Sequence, residues 1–194
     1  MDERKAFDKV VLATALGTDA LLAASGLKGV LPPVAPVKGQ LLAVQMDRNA
    51  PNVRHVIRAG AGPYLVPRSS GRLIVGATSE PGIEDGALTD GARAYLRDGM
   101  IGLVPATANL PIIDQWSGLR PRLPSGLPLI GPAEPTGLLV AIGHYRNGVL
   151  LTPVTADLIA GALTDSLTRL ERDLLTAFAP TRANAEPSSE AVCP

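Results

Sequence analysis

The sequence is poor in aromatic residues and in cysteine, and it has no excess of charge of either sign. Aromatics make up 3% of its 194 residues, and the single cysteine is Cys193, the second-last residue. One cysteine excludes an internal disulfide and gives no indication of a metal centre. Eighteen basic and eighteen acidic residues leave no net charge, which argues against a surface that binds nucleic acid or an anionic membrane.

Long apolar runs are also missing. No stretch is long enough to span a bilayer, and the charged N-terminus leads into a short apolar segment that lacks the core of a signal peptide. We therefore expect a cytoplasmic protein without a membrane span. Hydrophobic residues still make up 46% of the chain, which is typical of a globular protein with a core.

Glycine and proline, by contrast, are abundant. Twenty glycines and eighteen prolines are spread along the chain, which predicts frequent turns between short strands. Hydrophobic patterns predict strands at 10–14, 39–44, 53–58, 63–68, 72–78, 111–119 and 138–142. Helices are predicted at 19–25, at 88–103 with Thr89 as N-cap, from 148 onward, and at 167–178.

This order of elements predicts an α+β fold with a mostly antiparallel sheet, bracketed by pieces of an α/β domain. Residues 10–14 have the composition of a buried parallel strand, which needs neighbours on both sides. That strand is a first indication that part of its domain lies elsewhere. We divide the chain into a piece of the α/β domain (1–30), an antiparallel domain (31–122), a second α/β piece (123–179) and a disordered tail (180–194).

Four segments combine polar residues with turn-forming glycine and proline inside apolar stretches. They are 62–68, which leads through a hairpin into 73–80, then 116–121, 126–132 and 143–148. Arg120 lies in the second of these segments. A planar, permanently charged, bidentate donor suits an amino-acid carboxylate, and arginine is that donor. On the residues alone, a salt-bridged surface arginine explains Arg120 equally well.

These segments resemble the C-terminal half of the D-amino-acid oxidase family of FAD-dependent enzymes, and within it the glycine oxidases. The matching motifs, in family order, are PVKGQ (36–40), YLVPR (64–68), GRLIVGATSE (71–80), WSGLRP (116–121), GLPLIGP (126–132) and GHYRNGVLLTP (143–153). The resemblance runs from about residue 8 to residue 178. The family's N-terminal half carries a GxGxxG fingerprint for the ADP part of FAD, and this sequence has no counterpart of it.

The resemblance implies a role for each site residue. Arg120 and Tyr64 bind the substrate carboxylate, and Arg146 lies close to flavin and substrate. A half-buried strand tyrosine is the alternative for Tyr64. The turn before the last long helix contacts the flavin, because a helix N-terminus offers free N–H groups and a positive dipole end. The cofactor-binding residues are Gly143, His144, Asn147, Gly148, Val149 and Leu150, although a plain helix cap would give the same pattern.

Three further positions qualify this assignment. His144 has no carboxylate, serine or cysteine partner in the sequence pattern, so we do not assign it as a general base, and no side chain is assigned as catalytic. Ala15 stands where the family has glycine after the first strand, which puts close cofactor packing there in doubt. Ser125 stands where the family often has aspartate.

The implied activity is FAD-dependent oxidative deamination of glycine or a small amine by O₂. The products are a 2-oxo acid, ammonia and hydrogen peroxide, and the resemblance implies a place in thiamine biosynthesis. Two alternatives stay open. One is a sarcosine-oxidase-like or D-amino-acid-dehydrogenase-like enzyme, in which electrons leave to a quinone. The other is a truncated or split chain, inactive alone, that pairs with a separate FAD-binding half or forms a homo-oligomer.

Overall fold

The computed structural model describes residues 7–49 and 52–181, so the predicted disordered tail lies outside the described residues except for Pro180 and Thr181. The chain folds as two compact units. The first is built from residues up to Pro36 and from Arg120 onward, and the second from Val37–Leu119. The predicted division at residues 30, 122 and 179 stays a prediction.

The described residues form nine strands and four α-helices. The strands are β1 (Val10–Leu12), β2 (Ala35–Gln45), β3 (Ile57–Arg58), β4 (Tyr64–Pro67), β5 (Arg72–Gly76), β6 (Glu80–Pro81), β7 (Ile112–Arg122), β8 (Leu129–Ala133) and β9 (Leu138–Ile142). The helices are α1 (Thr18–Ala24), α2 (Asp90–Leu103), α3 (Gly148–Thr164) and α4 (Arg169–Ala177).

The first unit contains a three-stranded sheet whose central strand is covered on both faces. The strand order is β1-β9-β8, with β1 parallel and β8 antiparallel to β9. Along β9, Val140 and Ile142 join one core cluster together with Leu22 of α1. Leu139 lies on the other face and joins a second cluster that contains Leu158 of α3. Burial on both faces explains why β9 is an unbroken apolar run.

The second unit is an antiparallel sheet with a helix on one face. Its strand order is β3-β4-β5-β2-β6, and β7 also pairs with β2. Residues of β2, β4, β5 and α2 form the core under the helix: Leu42, Val44, Leu65, Leu73, Val75, Leu96 and Met100. The predicted N-cap of α2 is confirmed, since the Thr89 hydroxyl accepts a hydrogen bond from the N–H of Ala92 over 3.2 Å.

A buried glutamine joins four parts of the second unit. Gln40 of β2 is 0% exposed. Its side-chain amide donates to Glu80 at 3.0 Å and accepts from the N–H of Thr89 at 2.9 Å, while Gln115 of β7 donates to it at 3.3 Å. Its backbone N–H donates to the Thr78 hydroxyl over 2.8 Å. A buried amide this fully bonded fixes the end of β5 and the start of α2 relative to β2.

A buried lysine fixes the loop that follows β6. Lys38 of β2 is 2% exposed, and its ammonium group donates to the Asp85 carboxylate over 2.8 Å. The hydrogen bond from Lys38, with a second from the backbone N–H of Ala87, lowers the pKa of the Asp85 carboxyl below its ordinary value. The Asp85 side chain itself is 66% exposed, so the ion pair holds an exposed loop against a buried strand.

The predicted α+β fold with a mostly antiparallel sheet is confirmed. One predicted strand, 53–58, is wrong for most of its length, because only Ile57–Arg58 forms a strand. Val53 is buried because it anchors an irregular segment to the core under α2, not because it lies in a ladder. Strand β8 is not predicted because Gly131 and Pro132 interrupt its pattern.

Within the part of the chain that the structure describes, no single helix is long and apolar enough to cross a membrane. Helices α3 and α4 reach that length and composition only together, and the pair is bent by 107° at its break.

Candidate functional site in the first unit

The turn after β9 contains most of the predicted cofactor-binding residues and has an unusual backbone. Gly143 has a φ of 75°, and Tyr145 has a φ of 51°. The N–H of Asn147 donates to the carbonyl oxygen of His144 over 3.0 Å, and α3 begins at Gly148. Two left-handed residues so close together turn the chain sharply, so that β9 leads directly into α3.

Of the two glycines in this turn, only Gly143 is required by the packing of neighbouring side chains. A Cβ at Gly143 would overlap the side chain of Leu123, which is 1% exposed. A Cβ at Gly148 would make only an ordinary contact, 3.6 Å from the Cβ of His144. The predicted role of Gly148, close approach of a cofactor to the backbone, therefore stays a prediction that the described contacts allow.

The N-terminus of α3 is open. In any α-helix the first four N–H groups lack partners within the helix, and the side chain of Asn147 caps none of them here. Val149 and Leu150 in the first turn are 93% and 78% exposed. A helix start with uncapped N–H groups beside exposed apolar side chains suits a ligand that is both apolar and electron-rich at one edge.

A cavity of about 570 Å³ lies beside this turn. Its lining is mostly apolar and comes from the end of β1, the end of β9, the turn and the first turns of α3. The lining includes Val11, Ala141, Gly143, His144, Val149 and Thr155. An apolar cavity with a helix N-terminus in its wall fits the flat ring system of a flavin, whose N1/C2 carbonyl edge becomes negative on reduction.

His144 lies in the wall of this cavity and makes one described side-chain hydrogen bond. Its Nε2 atom lies 3.0 Å from the hydroxyl oxygen of Thr155 on α3. Burial lowers the pKa of the His144 imidazole below its ordinary value, so the ring is neutral at neutral pH. The hydrogen bond to Thr155 ties the turn to α3, and our not assigning His144 as a general base stays a prediction.

The lowered pKa of His144 predicts that acid destabilises the first unit. Because the folded state disfavours the charged ring, its contribution to stability is full above the unfolded pKa of about 6.5 and falls as pH drops below that value. Thermal unfolding followed by circular dichroism between about pH 7.5 and 5.5 should therefore show a smaller fall in Tm for His144→Gln than for the parent. His55→Gln, at the chain's other histidine, is the control. An equal fall in all three proteins would contradict the prediction.

Three arginines, Arg120, Arg122 and Arg146, lie at the end of β7 and in the turn, and we call them the arginine cluster. Arg120 is the third-last residue of β7 and is half-buried. The guanidinium carbon of Arg122, two residues on, lies 5.8 Å from the centre of the Tyr145 ring, and that of Arg146 lies 5.2 Å from it. The N–H of Tyr145 donates to the carbonyl oxygen of Pro121 over 3.1 Å. The turn is thus fastened to the end of β7.

Arg122 and Tyr145 are therefore functional candidates that the sequence analysis missed. Residues two apart on a strand point to the same face, so Arg120 and Arg122 leave β7 on one side. This two-residue spacing was the one feature of the sequence that could have indicated a role for Arg122. The contacts of the Tyr145 ring with two cations depend on the left-handed backbone of the turn, which the motif does not reveal.

Tyr64 lies in the second unit, at the start of β4. It pairs with Gly76 across the β4–β5 ladder, and a Cβ at Gly76 would overlap the Tyr64 ring. Leu65 and Val75 point to the core under α2, so Tyr64 and Gly76 lie on the opposite face of the sheet. Gly76 therefore leaves the space that the tyrosine ring occupies.

The two departures from the family pattern have different structural outcomes. Ala15 has a φ of 48° and lines the cavity, so an alanine holds a left-handed conformation that glycine adopts at lower cost. Ser125, in contrast, takes over a turn-forming function, because its hydroxyl accepts the N–H of Leu127 over 3.3 Å.

Comparison with known proteins matches residues 2–162 to a family described as "DAO: FAD dependent oxidoreductase". The chain belongs to this family. Within it, a bifunctional protein ThiO/ThiG from Synechocystis sp. is 42% identical over 161 residues, which cover 81% of this chain and 24% of that protein. A glycine oxidase from Geobacillus kaustophilus is 41% identical over 128 residues, which cover 66% of this chain and 33% of the oxidase.

Solved structures of family members agree. The crystal structure of glycine oxidase from Geobacillus kaustophilus has a TM-score of 0.80 and 36% identity, covering 90% of this chain and 45% of that one. Iminodiacetate oxidase from Chelativorans sp. has a TM-score of 0.78 and 25% identity, covering 91% of this chain and 47% of the other. The chain thus spans less than half the length of these relatives.

Proposed function

We propose that this chain forms the substrate-binding side, and part of the flavin site, of an enzyme that oxidises glycine or a similarly small amino acid. The products are a 2-oxo acid, ammonia and hydrogen peroxide, and the proposal extends to a place in thiamine biosynthesis. The observation that carries it is the turn at residues 143–148, where an open helix N-terminus, an apolar cavity and an arginine cluster coincide. Relatives named glycine oxidase support it.

In this proposal, the arginine cluster binds the substrate. Arg120 forms a bidentate, charge-assisted pair with the substrate carboxylate, and Tyr64 donates its hydroxyl to the same carboxylate. Tyr145 holds the guanidinium of Arg146 at 5.2 Å from its ring centre, which limits the positions that this cation can take beside the reacting amine. Fixing the carboxylate in this way orients the substrate Cα–H bond.

The flavin side of the site is proposed for the turn and α3. The backbone N–H groups of Gly148, Val149 and Leu150 would hold the electron-rich edge of the ring system, and the exposed Val149 side chain would offer it an apolar contact. When bound, FAD supplies the redox chemistry by accepting a hydride from the substrate Cα. The residues of this chain contribute position and electrostatic stabilisation, consistent with the absence of an assigned catalytic side chain.

We propose that the flavin-loaded enzyme consists of this chain together with a polypeptide that supplies the GxGxxG fold. If the 194-residue chain binds FAD unaided, the same experiments apply to it alone. A flavin spectrum after adding FAD to the purified chain decides between the two forms.

Tyr64 gives a prediction with two independent variants. Removing its hydroxyl in Tyr64→Phe should raise the KM for glycine by about 10- to 150-fold, the value of one hydrogen bond to a charged group, with a smaller change in kcat. Gly76→Ala should raise KM as well, because the added methyl displaces the ring. Gly91→Ala, where the added methyl meets nothing within 4 Å, is the control in steady-state kinetics. An unchanged KM in both test variants would remove Tyr64 from the site.

The test of the proposed function measures peroxide and dye reduction in parallel. Glycine, sarcosine and D-alanine are supplied to the flavin-loaded enzyme, and hydrogen peroxide is compared with reduction of an artificial quinone. Peroxide formed in proportion to glycine consumed supports the oxidase. Dye reduction without peroxide would replace it by a dehydrogenase, and turnover of sarcosine far above glycine would change the substrate assignment.

A further inference from the structure

A second cavity lies in the second unit, at the C-terminal end of β4. Its volume is about 280 Å³, and its walls come from the segment after β2, the end of β4 and the β4–β5 turn. Three arginines line it: Arg48, Arg54 and Arg68. Arg48 and Arg54 lie outside the sequence motifs, Arg68 ends the YLVPR motif without an assigned role, and the proposed oxidation uses none of the three.

The three guanidinium groups have no described acidic partner. Among residues 7–49 and 52–181, Lys38 pairs with Asp85 and Arg72 pairs with Asp114, and neither ion pair involves this cavity. The nearest acidic residue in sequence, Asp47, accepts a hydrogen bond from the backbone N–H of Asn49 over 2.8 Å. Three uncompensated cations around one cavity stand out in a chain whose net charge is zero.

The floor of the cavity is apolar and rigid. Met46 and Val53 are each 3% exposed and belong to the core under α2, and Pro67 ends β4 beside them. The β4–β5 turn is closed by a hydrogen bond from the N–H of Gly71 to the carbonyl oxygen of Arg68 over 3.0 Å. The three arginines therefore surround an apolar surface that belongs to the core.

One glycine holds the first arginine in place. Gly71 has a φ of 85°, and a Cβ there would lie 2.7 Å from Cγ of Arg48. The absence of a side chain thus lets the Arg48 stem pack over the turn. The carbonyl oxygen of Gly71 also accepts the N–H of Met46 over 2.9 Å, which joins the turn to the segment that contains Arg48.

We propose that this cavity binds a phosphate monoester whose organic part is small and apolar. A phosphate monoester carries about −1.5 to −2 charges at pH 7, so it needs more than one cation, and the arginine fork matches its oxygens. The half-buried Pro67 and the methylene stems of the arginines contact the organic part, above the buried Met46 and Val53. A site of this kind is separate from the amino-acid site, and its test does not depend on flavin or turnover.

Binding of phenyl phosphate to the full chain tests the proposal, measured by isothermal titration calorimetry and by amide NMR shifts. We expect saturable binding that is at least five-fold tighter than that of inorganic phosphate or benzoate, with shifts at residues 46–48, 53–54 and 67–71. Arg54→Gln and Arg68→Gln should each weaken it at least five-fold. Arg93→Gln, an exposed arginine of α2, removes the same charge and should leave the affinity unchanged.

A glycine pair separates the geometry of the cavity from simple charge. Gly71→Ala should weaken phenyl phosphate binding because it displaces Arg48, although it removes no charge. Gly60→Ala imposes a similar left-handed strain, at a φ of 57°, but its methyl meets nothing within 4 Å, so binding should persist. Circular dichroism confirms that each variant is folded before it is titrated.

Three outcomes would overturn the proposal. One is the absence of saturable binding to the folded parent. Another is equal weakening by Arg93→Gln and by the cavity arginine variants, which would indicate diffuse electrostatic attraction. The last is equal affinity for inorganic phosphate and phenyl phosphate, which would exclude a role for the apolar floor.

Discussion

Replacing Arg120 with leucine in the flavin-loaded enzyme is expected to lower kcat/KM for glycine by about 10²- to 10³-fold, or roughly 3–4 kcal/mol. Leucine removes both hydrogen bonds and the charge that hold the substrate carboxylate, while its volume still fills part of the half-buried site at the end of β7. Most of the loss should appear in KM, because the carboxylate is bound in both the ground state and the transition state.

The Arg120→Leu variant should keep its flavin, because the groups proposed to contact the ring belong to the turn after β9 and to α3. Steady-state peroxide formation with glycine gives the kinetic loss, and the visible flavin spectrum reports cofactor content. Arg169→Leu, at the exposed start of α4, is the matched control and should keep parental kinetics. Normal glycine turnover in Arg120→Leu would exclude this arginine from the site, and loss of flavin would move it to the cofactor.

Replacing Gly143 with alanine is expected to reduce the free energy of unfolding by about 2–5 kcal/mol. Two effects add. A left-handed residue with a Cβ costs about 1–2 kcal/mol, and overlap with a packed core side chain costs about 1–3 kcal/mol. The overlap is with Leu123, which is 1% exposed and cannot move into solvent without leaving its core cluster.

The control for this prediction is Gly126→Ala. Gly126 has a φ of 72°, but an added Cβ meets nothing within 4 Å, so only the backbone cost of about 1–2 kcal/mol applies. Urea unfolding followed by circular dichroism measures both variants. In the double variant Gly143→Ala, Leu123→Ala, the loss should be smaller than the sum of the single losses, because the overlap is gone. Equal losses for Gly143→Ala and Gly126→Ala would contradict the overlap.

Much of the fold could be predicted because its determinants are local. Strand β9 is a continuous apolar run, and the structure buries it on both faces between α1 and α3. Thr89 precedes a helical pattern and caps α2. Strand β8 could not be predicted in the same way, because Gly131 adopts a φ of 120° inside the ladder, a backbone conformation that the apolar pattern does not indicate.

The candidate site could be predicted in part for a related reason. The motifs locate the turn at residues 143–148, and glycines at both of its ends indicate a tight backbone. They do not indicate that Tyr145 has a left-handed backbone. The contacts of its ring with Arg122 and Arg146 could therefore not be predicted. The requirement for glycine at position 76 could not be predicted either, because it depends on the strand register that places Tyr64 opposite Gly76.

Reduction of the enzyme-bound flavin by glycine in the absence of oxygen tests the central proposal most directly. The experiment mixes glycine with the anaerobic, flavin-loaded enzyme and follows the visible flavin absorbance, then admits oxygen and measures peroxide. The proposal predicts bleaching by glycine, return of the oxidised spectrum with oxygen, and peroxide equal to the flavin reoxidised. A flavin-loaded enzyme whose spectrum does not change with saturating glycine would contradict it.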